Sequence, residues 1–205
     1  MSQLSEIIML VCVTGEVGSG KTEVIKIIKR HNYHTFVMDD YVHQIYKKNK
    51  IGYQLIKKHF GSQYVNSEKV NRKKLGKFVF SNLDNLKKLN RIMIPIIQAK
   101  IEEIAEKSKL FFIELGIYIY YKKQFSKYFD KVIYVNRNKK LKNKNFQKKI
   151  PYSSNFPTFL VGKLNKAIKT AHNGEYIIVE NHENLKKLQD KILRILKKFL
   201  KQNIL

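Results

Sequence analysis

Residues 15–22 read Gly15-Glu16-Val17-Gly18-Ser19-Gly20-Lys21-Thr22, a complete match to the phosphate-binding pattern G-x-x-x-x-G-K-[ST]. An apolar run at residues 7–13 precedes this loop, and a helix-like segment at residues 23–31 follows it. A strand, a loop and a helix in this order let backbone N–H groups and a helix N-terminus surround phosphate oxygens. Residues 15–22 are therefore predicted to bind ATP or GTP, with Lys21 at the outer phosphates and Thr22 as a ligand of Mg²⁺.

Four further apolar runs are predicted to be parallel strands, at residues 34–38, 110–115, 132–135 and 176–179. Helical stretches separate them, which is typical of a doubly wound α/β sheet with right-handed crossovers. With residues 7–13 as the first strand, the predicted fold is a three-layer P-loop NTPase fold around a five-stranded parallel sheet. Because ligands bind at the carboxyl ends of such strands, one cleft is expected to be bordered by Thr14, Asp39, Glu114 and Asn136.

Three other segments complete the predicted single domain of residues 1–205. Residues 52–107 contain several helical patterns and are expected to form a helical insertion that binds the substrate. A stretch rich in Lys, Asn, Ser and Pro, at about 137–165, is expected to form a lid. The last helical segment has one apolar face, which favours packing against the sheet over lying on a membrane, and this face carries Leu185, Leu188, Ile192, Ile195, Leu196 and Phe199.

The composition indicates a cytoplasmic, soluble protein. The formal net charge is +25, but arginine supplies five of the 41 basic residues, and alanine occurs four times and tryptophan not at all. An AT-rich genome produces this bias without selection for a polyanionic partner, so nucleic acid is an unlikely partner. The single cysteine, Cys12, excludes a disulfide framework. No stretch reaches the roughly 20 apolar residues of a membrane span, and we expect a monomer.

Two adjacent carboxylates, Asp39 and Asp40, follow the second predicted strand. A carboxylate at this position can face the γ-phosphate and accept a proton from an attacking hydroxyl, which indicates a kinase. A GTPase would need a guanine-reading N-K-x-D segment, and the sequence has none. Aspartate also caps helix N-termini, and this alternative stays open, more for Asp40 than for Asp39.

Ordered motifs along most of the chain resemble the dephospho-CoA kinase family. Residues 14–21 are similar to its T-G-G-I-G-S-G-K motif, and residues 37–41 lie where the family has D-A-D before a helix. If the family motifs are aligned without gaps from the phosphate-binding loop onward, the F-G pair of the family falls on Phe60-Gly61. Later stretches resemble its L-D-R-x-x-L, I-V-F, L-N-x-I-x-H-P, D-K-V-I and A-D-x-V-I-x-N motifs, at residues 70–75, 78–80, 89–95, 129–133 and 176–181.

The resemblance implies transfer of the ATP γ-phosphate to the 3′-hydroxyl of dephospho-CoA, the last step of coenzyme A biosynthesis. ATP and Mg²⁺ would bind at residues 15–22, and Asp39 would activate the ribose hydroxyl. Glu114 is a second candidate for the magnesium site, with a solvated strand end as the alternative. Arg72 and Arg91 are candidates for contacts with the substrate phosphate, with helix capping as the alternative.

The chain also departs from the family motifs. The position of the first aspartate of D-A-D is occupied by Val37. If the alignment is shifted by one residue, that position is Met38 instead, and Asp40 would be the base next to the substrate. The histidine of H-P is Ile94. In the family, arginines of the lid hold the transferring phosphoryl group, but this chain has no arginine between residues 138 and 163. The positive charge at the phosphoryl group would then come from a lysine such as Lys142, Lys144 or Lys148, or from Arg137.

Two other functions remain possible from the sequence. A kinase for another nucleoside or nucleotide would share the sheet and the loop. A P-loop protein associated with nucleic acid would use the basic surface without transferring phosphate. Asp39 and the motifs between residues 60 and 95 favour dephospho-CoA kinase, because nucleic-acid binding would not require them.

Overall fold

A computed structural model of the chain describes residues 9–106, 110–137 and 176–202. The described residues form one five-stranded sheet in the order β2-β3-β1-β4-β5, with all neighbours parallel. The strands are β1 (Met9–Gly15), β2 (His34–Val37), β3 (Leu110–Glu114), β4 (Lys131–Asn136) and β5 (Ile177–Glu180). The predicted parallel α/β sheet is therefore confirmed.

Strand β1 lies at the centre of the sheet because it is apolar on both faces. All seven of its residues are buried, as expected for a parallel strand covered by helices on each side. Val13 pairs with Glu114 of β3, and Gly15 pairs with Val135 of β4. The carboxyl ends of three neighbouring strands thus meet at the point where residues 15–22 begin.

Helices cover both faces of the sheet. They are α1 (Lys21–Arg30), α2 (Met38–Ile45), α3 (Ile51–Phe60), α4 (Arg72–Phe80), α5 (Leu83–Ala105), α6 (Lys122–Phe125) and α7 (Leu185–Gln202). One buried cluster joins α1 and α7 to one face of the sheet. A second cluster joins the helices α2, α3, α4 and α5 to the other face. This gives the three layers that the sequence predicts.

Helix α7 packs on the sheet through most of its predicted apolar face. Leu188, Ile192, Leu196 and Phe199 are all at most 3% exposed and belong to the cluster around α1. The prediction was wrong for Leu185, which is 47% exposed, because it is the first residue of the helix and lies before the turn that contacts the core. No helix among the described residues has both the length and the apolarity to span a membrane.

The second strand ends one residue earlier than the sequence suggests. Met38 was expected in the strand, but it is the first residue of α2 and is buried in the core beneath the helix. Asp39 and Asp40 therefore lie in the first turn of α2, where free N–H groups and the helix dipole favour carboxylates. Asp40 is not the cap residue, because the N-cap position is Val37 and has no side-chain cap bond.

The region predicted as a helical insertion contains α3, α4 and α5. Asn71 and Asn82 cap the last two of these helices, with their Oδ1 atoms accepting hydrogen bonds from the N–H groups of Lys74 at 3.0 Å and Asp84 at 2.7 Å. Arg91 lies in the interior of α5 and caps neither end of that helix. The predicted lid, including Lys142, Lys144 and Lys148, lies outside the described residues except for Arg137.

The thiol of Cys12 lies in the middle of β1 and is fully buried. Burial raises the pKa of this thiol well above its ordinary value, because a thiolate would have no water around it. We expect Cys12 to resist iodoacetamide in the folded protein and to react after unfolding in urea. Mass spectrometry of the two samples measures this, and rapid labelling without urea would contradict the buried position.

Candidate active site

A cavity of about 420 Å³ opens at the carboxyl edge of the sheet, between the phosphate-binding loop and the insertion helices. The loop and α1 contribute one wall, α2 and the end of β3 contribute another, and α4 and α5 close the third side. The lining residues are Gly15, Val17, Gly18, Gly20, Lys21, Thr22, Asp39, Phe80, Leu86, Leu89, Asn90, Glu114, Gly116, Ile117, Tyr120 and Tyr121.

Glycine is required at both ends of the loop. Gly15 and Gly20 have φ angles of +147° and +99°, a conformation that other residues rarely adopt. A Cβ on Gly15 would collide with the carbonyl oxygen of Val135, and a Cβ on Gly20 would collide with the side-chain amide of Asn181. The loop is thus fitted against β4 and the end of β5, and its glycines allow this close approach.

Lys21 is the first residue of α1 and lies across the loop. Its Nζ donates hydrogen bonds to the carbonyl oxygens of Gly15 at 3.2 Å and Glu16 at 3.0 Å. These bonds hold the ammonium group beside the backbone that a triphosphate would contact.

Two residues expected at the cleft lie behind it. Thr14 is fully buried, and its Oγ1 donates to the carbonyl oxygen of Leu115 at 3.0 Å, which ties β1 to the end of β3. Asn136 donates through Nδ2 to the carboxylate of Glu180. The expectation that these two residues border the cavity was wrong, because both side chains are used to join strand ends.

Asp39 and Glu114 do line the cavity, together with Thr22. Asp39 is exposed, whereas Glu114 is 7% exposed at the end of β3, so Glu114 is not a solvated strand end. A threonine hydroxyl and two carboxylates are the oxygen donors that Mg²⁺ prefers. The donor set around the loop therefore fits a magnesium ion.

The other predicted substrate residues lie elsewhere. Asp40 lines a separate trough of about 520 Å³ between α1, β2 and α2. Arg72 is exposed at the start of α4 and lies near His43, where its charge, after burial, lowers the pKa of that imidazole. Arg91 is exposed on α5. None of these three residues is among those that line the 420 Å³ cavity.

The wall opposite the loop is apolar and aromatic; the insertion at residues 52–107 was expected to bind the substrate, but the individual side chains of this wall were not predicted. Phe80, Leu86, Leu89 and Ile117 form its apolar part. The signal was present, because residues 78–80 and 89–95 carry family motifs, but a motif does not say which side chains reach a cavity. This wall is suited to the uncharged portion of an organic substrate.

Two neighbouring tyrosines border the cavity beside this wall. Burial, followed by the negative charge of Glu16, raises the pKa of Tyr120 to about 12. Burial also raises the pKa of Tyr121, while a hydrogen bond from Asn90 of α5 lowers it. Both phenols are therefore neutral near pH 7, and the contact with Asn90 joins the insertion to the segment after β3.

Comparison with known proteins gives one family. The family model described as dephospho-CoA kinase matches residues 9–149. A dephospho-CoA kinase of Mycoplasma genitalium is 32% identical over 199 residues, which cover 95% of each chain. A dephospho-CoA kinase of Mycoplasma pneumoniae is 33% identical over 136 residues, which cover 65% of this chain and 68% of that protein.

Solved structures show the same fold. The TT1252 protein of Thermus thermophilus has a TM-score of 0.69 at 18% identity, with 96% of this chain and 98% of that chain covered. A dephospho-CoA kinase of Campylobacter jejuni has a TM-score of 0.66 at 22% identity, with 95% and 98% covered. A deoxyadenosine kinase of M. mycoides has a TM-score of 0.55 at 15% identity, with 92% and 100% covered.

Proposed function

Since the chain belongs to the dephospho-CoA kinase family of ATP-dependent phosphotransferases, we propose that its 420 Å³ cavity transfers the γ-phosphate of ATP to the 3′-hydroxyl of dephospho-CoA. One observation carries the proposal: the phosphate-binding loop, Asp39 and Glu114 line the same cavity as the insertion helices. Donor-binding groups, a candidate base and an acceptor wall are thus within reach of one another.

The loop and α1 hold the donor. Backbone N–H groups from Gly18 to Thr22 surround the phosphates, and the N-terminus of α1 adds its partial positive charge. Lys21 exchanges its bonds to the Gly15 and Glu16 carbonyl oxygens for bonds to the outer phosphates. The charge that spreads over the phosphoryl oxygens during transfer is then opposed by a fixed cation.

Thr22 and Glu114 are the residues that would hold Mg²⁺. When bound, the ion supplies charge neutralisation at the phosphate oxygens. Because Glu114 ends β3 and pairs with Val13 of β1, its carboxylate is positioned by the same sheet that positions the loop. Glu114 and the phosphate-binding loop are therefore both held by the end of the sheet.

Asp39 is the proposed general base. It lies on the first turn of α2, and its exposed carboxylate can accept the proton of an incoming hydroxyl. The apolar wall of Phe80, Leu86, Leu89 and Ile117 is proposed to hold the uncharged part of dephospho-CoA. In this arrangement the acceptor hydroxyl lies between Asp39 and the γ-phosphate.

We further propose that the protein is a monomer and acts in the cytoplasm.

An ADP-release assay with the purified protein, ATP and Mg²⁺ tests the acceptor. We expect dephospho-CoA to stimulate ADP release and CoA to leave it at the background rate, since the 3′-hydroxyl of CoA already carries phosphate. Nucleosides and nucleotides in the same assay test the related kinase function. Stimulation by a nucleoside and not by dephospho-CoA would contradict the proposed acceptor.

A further inference from the structure

The segment after β5 reaches back to the phosphate-binding loop. Asn181 follows β5 directly, and its Nδ2 donates a hydrogen bond of 2.8 Å to the carbonyl oxygen of Ser19, 162 positions earlier in the sequence. Ser19 is fully buried and Asn181 is 8% exposed. Loss of a buried hydrogen bond leaves its partner without water as a substitute, so removal of this bond is expected to destabilise the loop.

The sheet holds Asn181 in place. Its backbone N–H donates to the carbonyl oxygen of Asn136 at 2.8 Å, which extends the ladder between β4 and β5 by one residue. The side chain of Asn136 in turn donates to both carboxylate oxygens of Glu180, each at 3.1 Å. The amide of Asn181 is therefore presented to the loop from two ordered strand ends.

The bond to Ser19 sets the orientation of the next amide in the loop. In a trans peptide, the C=O and N–H groups point in opposite directions because the unit is planar, and the described residues contain no cis peptide. A Ser19 carbonyl directed at Asn181 therefore turns the N–H of Gly20 to the other side. Gly20 lines the cavity, where a phosphate oxygen would meet this donor.

We propose that Asn181 is a positioning residue for nucleotide binding, which acts by holding the Ser19–Gly20 peptide with its N–H directed at the phosphate. Asn181 is not among the residues that line the cavity, so it acts through the loop. The absence of a Cβ on Gly20 makes room for the Asn181 amide. The inference rests on the proposed nucleotide site and is independent of the acceptor.

Replacement of Asn181 tests this role through ATP binding without an acceptor. Asn181→Ala removes the donor, and Asn181→Asp keeps the size of the side chain but places a carboxylate oxygen against the Ser19 carbonyl. We expect the Kd for ATP with Mg²⁺ to rise about 5- to 30-fold in both variants, the effect of one buried hydrogen bond. The Kd for dephospho-CoA should change less than the Kd for ATP.

Asn184→Ala is the matched control in the same segment. Asn184 is exposed, and its Oδ1 accepts a hydrogen bond from the N–H of Lys187 at 3.0 Å, so it supports α7 and does not contact the loop. We expect its Kd for ATP to equal that of the unaltered protein. An ATP Kd for Asn181→Ala and Asn181→Asp equal to that of Asn184→Ala would overturn the proposal.

A measurement on the unaltered protein does not depend on how the variants fold. In NMR spectra, the Asn181 side-chain amide hydrogens should exchange with solvent much more slowly than those of exposed Asn184. The Gly20 amide resonance should shift when ADP and Mg²⁺ are added. Rapid exchange of the Asn181 side-chain amide hydrogens, or a Gly20 amide resonance that does not shift with ADP, would overturn the proposal even if dephospho-CoA proved to be the acceptor.

Discussion

Asn in place of Asp39 is expected to reduce phosphate transfer to dephospho-CoA by about 10²- to 10⁴-fold, the usual contribution of a general base. The substitution preserves size and the position on the first turn of α2, but an amide does not accept the hydroxyl proton. The Kd for ATP should stay close to its original value, because Asp39 lies on α2 and is not part of the phosphate-binding loop. Single-turnover rates with saturating ATP, together with ATP binding, measure the two effects separately.

Asp40→Asn is the matched control for this substitution. Asp40 has the same chemistry and the next position on α2, but it lines the trough between α1 and β2. We expect transfer in Asp40→Asn to remain within a few-fold of the unaltered rate. A large loss in Asp40→Asn with near-normal turnover in Asp39→Asn would instead assign the base to Asp40.

Substitution of Lys21 by Met should have the second largest effect. Met has a similar length but no charge, so the outer phosphates lose their fixed cation during transfer. Removal of one such stabilising group costs about 10²- to 10³-fold in kcat, and we expect the KM for ATP to rise as well. Steady-state kinetics with dephospho-CoA as acceptor measure both constants.

Lys26→Met controls for the loss of a lysine from the same helix. Lys26 lies five residues beyond Lys21 on α1, and its Nζ is 3.9 Å from the carboxylate of Glu23, with 61% of the lysine side chain exposed. Surface ion pairs of this kind contribute little. Equal losses of activity in the two variants would show that the effect of Lys21→Met comes from net charge and not from the position of Lys21.

The phosphate-binding loop and the strands were predicted correctly because they depend on residues that are close together in the sequence. The loop at residues 15–22 needs glycines, a lysine and a hydroxyl at fixed spacing, and apolar runs with flanking helices specify parallel strands. Glu114 was expected near the carboxyl end of the strand predicted at residues 110–115, and it is the last residue of β3. These features depend on neighbouring residues and are readable without the tertiary structure.

Features that depend on tertiary packing were missed or misplaced. Met38 looks like the end of a strand, but it is the first residue of α2, with its side chain buried in the core. Thr14 and Asn136 stand at strand ends, yet their side chains bind other strands. Asn181 and Ser19, which are 162 positions apart, are joined by a hydrogen bond, and no periodic pattern in the sequence predicts a contact between residues so far apart.

The long-range support of the phosphate-binding loop also determines when it can form during synthesis. Strand β1 is made early, but its Leu10 N–H bonds to the carboxylate of Asp130, 120 positions later, and Thr14 bonds to Leu115, 101 positions later. Pairing between such distant residues slows folding. A chain still emerging from the ribosome would thus carry residues 15–22 without their binding geometry, and capture of an ATP analogue would report the completion of the sheet.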